Sequence, residues 1–144
     1  MASNYLLDTN IFSYIAKGIS PAARAEFQRL SKSRDTHLFI SAVTEAEVRY
    51  SMARHPLLPA RRAAIEGLLA NVQILEWGSS EAAVYADLRA KLVVRGITVS
   101  AMDLFIASQA IAAKAVLVTG DKIFERVAEG AGLATVNWAT DILV

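Results

Sequence analysis

Along this chain, short runs of consecutive apolar residues alternate with longer stretches in which apolar positions recur every three or four residues. The runs have the length of buried strands, and the longer stretches have the period of helices. Strands are predicted at Tyr5–Leu7, His37–Ile40, Val72–Leu75, Ala115–Val118 and Thr135–Val136. Helices are predicted at Ile11–Ala16, Pro21–Leu30, Thr44–Ala53, Ala60–Leu69, Ser79–Val94, Ser100–Ala113 and Lys122–Glu129, the last ended by Gly130. Strands separated by helices require crossover connections. The expected fold is therefore α/β, a three-layer α/β/α arrangement around a short, mostly parallel central sheet.

A chain of 144 residues supports one sizeable core, so residues 1–144 are read as a single domain. Composition narrows the chemistry further. Cysteine is absent, which excludes disulfide scaffolds, thiolate nucleophiles, iron–sulfur clusters and thiolate zinc sites. The first positive charge is Lys17, so no secretory signal is expected, and a reducing cytoplasm is the expected compartment. Asp103, Gln109 and Lys114 interrupt the longest apolar window, Ala101–Val118, and argue against a membrane partner.

Fifteen Lys and Arg against fourteen Asp and Glu leave a net charge of only +1, but the distribution is uneven. Between Lys17 and Arg62 there are nine basic residues and four acidic ones. Such a stretch is either a set of solvated helix faces or a surface attractive to phosphates.

Four carboxylates recur where a strand or its following turn passes into a helix. Asp8 follows Tyr5-Leu6-Leu7, Glu47 is expected in the first turn after Phe39-Ile40-Ser41, Asp103 opens the helix at Ser100, and Asp121 follows Val118-Thr119. In a parallel sheet all strands end on one edge, so these side chains can converge in one crevice. Taken singly, each acid also reads as a helix cap or turn residue, since Thr44–Glu47 and Ser100–Asp103 both have the capping-box spacing.

Convergence would need a counter-charge. Two carboxylates about 4 Å apart repel by about 4 kcal/mol at an effective dielectric near 20, against roughly 1 kcal/mol gained per cap. An all-oxygen donor set favours a hard divalent cation, Mg²⁺ or Mn²⁺, and His37 and His55 show no metal-ligand spacing. Setting the four acids aside leaves ten acids against fifteen bases, a surface of net +5 that suits a polyanionic substrate.

The segments Leu6-Leu7-Asp8-Thr9-Asn10-Ile11, Ile40 to Tyr50 around Glu47, Met102-Asp103-Leu104-Phe105-Ile106-Ala107, and Leu117-Val118-Thr119-Gly120-Asp121 with Phe124 together resemble the PIN domain. The likeness is greatest to the VapC-type toxins of bacterial toxin–antitoxin pairs and runs to Val136-Asn137-Trp138. It implies a Mg²⁺-dependent endoribonuclease, homodimeric, acting on RNA and inhibited by a small VapB-like antitoxin whose C-terminal segment occupies the active-site groove. By motif match, Asp8, Glu47, Asp103 and Asp121 are the catalytic acids, Asp8 and Asp103 the metal ligands, and Asn10 and Thr119 supporting polar residues. The motif selects Glu47 over Glu45, which lies about 200° away around the helix. Ser51, Gln109 and Gly120 depart from the commonest pattern, Gly120 standing where Asn or Arg is frequent.

The chemistry expected is in-line attack of water on phosphorus, oriented from the Glu47 and Asp121 side of the site. Two rivals are weighed. An aspartyl phosphatase would use Asp8 as nucleophile but lacks the usual second Asp, since position 10 is Asn. A catalytically silent module would use the same acids as caps and the basic face to hold RNA or protein.

Overall fold

The computed structural model describes residues 3–142. Five strands, β1 (Ser3–Leu7), β2 (Thr36–Ser41), β3 (Gln73–Leu75), β4 (Val116–Val118) and β5 (Thr135–Val136), form one sheet in the order β3-β2-β1-β4-β5. Every neighbouring pair is parallel. The helices are α1 (Thr9–Lys17), α2 (Pro21–Ser31), α3 (Ala42–Arg54), α4 (Pro59–Ala70), α5 (Ser79–Val94), α6 (Ala101–Ala112) and α7 (Ile123–Ala128). The α/β sandwich read from the apolar pattern is the fold observed, with the sheet wholly parallel.

Both sheet faces are covered, which is why the strands read as continuous apolar runs and not as alternating ones. Successive residues point to opposite layers. Leu7, Leu38, Ile40 and Val118 join Phe12, Phe27, Ile65 and Leu69 in one core, while Leu6, Phe39 and Leu117 join Leu88, Ile106 and Phe124 in the other. β1 is the central strand: Leu6 pairs with Phe39 on one side and Leu117 on the other.

Serine caps set three of the seven helix starts. Ser20 accepts the Ala23 N–H at 3.1 Å ahead of Pro21, and Ser100 accepts the Asp103 N–H at 3.2 Å, half of the capping box expected there. The third helix starts earlier than its sequence pattern suggests. Ser41, the last residue of β2, accepts the Val43 N–H at 3.1 Å, so strand passes into helix without a loop. Thr44 is consequently not a cap but a buried side chain inside α3, and Glu47 lies in the second turn, not the first.

The end of the chain is tied to α2. Trp138 and Ala139 are buried in the first core, and the Ser20 hydroxyl donates to Asp141 at 2.6 Å while the Ala22 N–H donates to its other oxygen at 3.0 Å. The hydroxyl, then the amide, hold the Asp141 carboxyl below its usual range. A lowered carboxyl pKa stabilises the fold above the ordinary carboxylate range, and that contribution is lost as pH falls through the folded value. Asp141→Ala is expected to speed amide hydrogen exchange across Trp138–Ile142 while β1 stays protected; unchanged exchange there would show that the clasp contributes nothing.

Candidate active site

Topology brings the acids to one edge, because every strand of a parallel sheet ends there. At the end of β1 the Asp8 N–H donates to the Val118 carbonyl at 3.0 Å, extending the β1–β4 pairing by one residue. Asp8 then caps α1, its Oδ1 accepting the Ile11 N–H at 2.8 Å. At the end of β4 the Thr119 hydroxyl accepts the Asp121 N–H at 3.0 Å, and Asp121 accepts the Ile123 N–H at 3.0 Å in a tight turn. Asp103 lies in the first turn of α6 and Glu47 in the second turn of α3, both half-buried.

Electrostatics shows which acids share a field. Asp8 is only 5% exposed, and its carboxyl is pushed up to about 6, first by burial. Hydrogen bonds from the Thr119 hydroxyl and the Ile11 amide oppose that rise, and repulsion from Asp103 and Asp121 adds to it. The Glu47 carboxyl is raised by burial and then by the charge of Asp103. Asp103 thus couples to both Asp8 and Glu47. Loss of water around Asp8 is a larger effect than repulsion from the neighbouring acids, because the strand end is sealed beneath α1.

No basic side chain offsets the group. Among the described residues the ion pairs are Arg29–Glu26, Arg49–Glu45 and Arg95–Glu129, so none involves these four acids. Glu45 is held by Arg49 at 2.9 Å, on a different side of α3 from Glu47. Neither histidine joins them: His37 stacks on Phe39, and His55 accepts from Arg54. Asn10 is exposed in the first turn of α1 and makes no hydrogen bond to a carboxylate among the described residues.

The donor set is all carboxylate and hydroxyl oxygen, which fits a hard divalent cation. Among the described residues no three Asp, Glu or His side chains stand close enough to form a ready-made cage. The hydroxyls of Thr9 and Thr44, 3.2 Å apart, join the first turns of α1 and α3, a contact that sequence reasoning missed. No short-range pattern marks two residues that far apart as partners.

The PIN domain family matches residues 5–130, and the chain belongs to it. Within that family it sits among the VapC ribonucleases. It is 30% identical to the tRNA(fMet)-specific endonuclease VapC of Shigella flexneri over 94% of this chain and 98% of that protein. It is 29% identical to the ribonuclease VapC2 of Rickettsia felis, over 93% of this chain and 97% of the relative. Among solved structures, the VapBC2 complex of Rickettsia felis bound to a promoter DNA fragment superposes with a TM-score of 0.84 at 27% identity, covering 94% of this chain and 98% of that one. DNA-bound VapBC from Salmonella typhimurium gives 0.82 at 25% identity, over 96% and 99%.

A carboxyl whose pKa rises on folding favours the fold while it is protonated. For Asp8 that contribution is full below its ordinary value of 3.8 and is lost as pH rises through about 6. The ion-free protein should then carry a deficit of roughly 3 kcal/mol near neutral pH. Asparagine keeps the cap without the charge. In urea denaturation with EDTA, Asp8→Asn is expected to be more stable than the wild type by about 1–3 kcal/mol near neutral pH, with the gap closing at around pH 4. A less stable variant under those conditions would contradict the uncompensated charge.

Proposed function

We propose that this chain is a Mg²⁺-dependent endoribonuclease, the toxin of a toxin–antitoxin pair, with Asp8 and Asp103 holding the ion and Glu47 and Asp121 completing the catalytic acids. The observation that carries this reading is the buried Asp8 carboxylate, flanked by Asp103 and Asp121 and left without a basic partner among the described residues. When bound, the divalent ion supplies charge neutralisation at the phosphate and at the departing oxygen.

The side chains divide the remaining work. Burial and the Asp103 charge make Glu47 a stronger base than an ordinary carboxylate, suited to accept a proton from the attacking water near neutral pH. The water oxygen bonds to phosphorus and its proton passes to Glu47, while the ester bond to the neighbouring nucleotide breaks and the departing oxygen keeps the electron pair and takes a proton from solvent. Thr119 supports two acids at once, through its hydroxyl to Asp8 and through the Asp121 N–H. Manganese, similar in ligand preference, is expected to substitute for magnesium.

Outside the acidic site the chain is basic. Lys17, Lys32, Arg34, Arg61 and Arg62 are exposed and make no ion pair among the described residues, which supports capture of an RNA backbone. The likeness to VapBC complexes supports a VapB-like antitoxin as inhibitor; a homodimeric state, with residues 1–144 acting as one nuclease unit, belongs to the same proposal. Asp8→Asn and Asp103→Asn are each expected to lower RNA cleavage at least about a hundredfold and to relieve growth arrest on induction while circular dichroism stays native. EDTA should do the same to the wild type. Full activity of either variant, or cleavage that persists in EDTA, would overturn the assignment.

A further inference from the structure

Next to Asp121 the surface opens into a cavity of about 370 Å³ whose walls include Asn10, Tyr14, Gly120, Lys122, Asn137 and Ile142. Asp121 is on its rim, but Asp8, Glu47 and Asp103 are not, so the cavity adjoins the acids without containing them. Its size suits one small ligand group. A second cleft, of about 210 Å³, shares Gly120 through Lys122 and Asn137 and continues past Glu125 and Thr135, so there is room for a chain to enter on one side and leave on the other.

The lining has a consistent chemistry. Asn137 Oδ1 accepts the Ala139 N–H at 2.9 Å, which fixes the amide and leaves both Nδ2 protons without an acceptor among the described residues. Gly120 leaves one side of that amide open: a Cβ there would sit in van der Waals contact with it, 3.4 Å from Asn137 Oδ1 and 3.5 Å from Nδ2. Tyr14 is half-buried against the first core and offers an aromatic surface. Lys122 is exposed and makes no ion pair among the described residues. An aromatic ring, unspent amide donors and one ammonium group, set beside acids that cleave phosphodiesters, are the groups that hold a single unstacked nucleotide.

We propose that this cavity binds the nucleotide next to the scissile phosphate, its base against Tyr14, its phosphate toward Lys122, and its edge read by the Asn137 amide. Two N–H donors require acceptors, so guanine, with O6 and N7 side by side, is favoured over adenine, which presents only N7 beside a donor. The Ser20–Asp141 clasp anchors the far end of the 137–142 wall, which keeps the reading group in place. This proposal rests on the ribonuclease reading above, and its test separates the two.

Purified protein is given a pool of single-stranded RNA with a randomised centre, and the fragment ends are sequenced. The wild type is expected to enrich guanine at one position flanking the cut. Asn137→Ser keeps an acceptor for the Ala139 N–H and removes both donors, so that preference should flatten and KM rise about tenfold with kcat little changed. Gly120→Asn should act the same way by filling the cavity. In parallel, guanosine 5′-monophosphate is titrated into the ion-free wild type and the Asn137 side-chain amide resonances are followed. They should shift with guanosine 5′-monophosphate and much less with adenosine 5′-monophosphate. Cleavage with unchanged preference and KM in both variants would overturn the nucleotide pocket and leave the nuclease standing. Shifted amide resonances without any cleavage would support the pocket and refute the nuclease. Absence of any shift refutes the pocket whether or not RNA is cut.

Discussion

The charge of Asp8 is held where water cannot reach it, and the rest of the site is arranged around that fact. β1 ends in Leu6 and Leu7, both fully buried, and the chain turns straight into α1 with Asp8 as its cap. Covering an apolar strand end requires the first turn of α1 to dock closely, and docking removes solvent from the carboxylate. One backbone amide and one hydroxyl offset only part of that loss. Capping needs an oxygen, not a charge, so hydrogen bonding alone does not account for an acid at this position. The cation proposed above would account for it.

The same logic explains how the other charges are distributed. Arg29, Arg49 and Arg95 are engaged with glutamates elsewhere, two of them on their own helices, so those cations stay away from the crevice. Exposed pairs of this kind add little stability. Their effect here is to leave the acids facing open space while the surrounding surface stays positive. A basic surface of this kind attracts an anionic polymer, the substrate class proposed above.

Much of this was legible in the sequence because each step used short-range information. Short continuous apolar runs such as Val116-Leu117-Val118, set between helical periods, read as strands covered on both faces, and their alternation with helices pointed to a mostly parallel sheet and hence a shared edge. The choice of Glu47 over Glu45 rested on the family motif, with helix periodicity placing Glu45 on another side, and in the structure Glu45 is paired with Arg49. What escaped notice depends on contacts between distant residues. Ser41 took the cap that Thr44 was expected to supply because the strand ran into the helix with no connecting residues. The Thr9–Thr44 contact, the Ser20–Asp141 clasp and the room that Gly120 leaves for Asn137 all join residues far apart in the chain, and no periodicity encodes them.

The position of β1 also has a bearing on how the molecule is made. Its hydrogen-bonding partners are β2 on one side and β4 on the other, and β4 ends at Val118. Chains emerge from the ribosome N-terminal end first, at roughly 5–20 residues per second. The strand that carries Asp8 therefore waits, with one edge open, until most of the polypeptide has been synthesised, and Asp121 is later still. A half-made copy has no complete set of acids. The acids therefore come together only once the last of them, Asp121, has been synthesised.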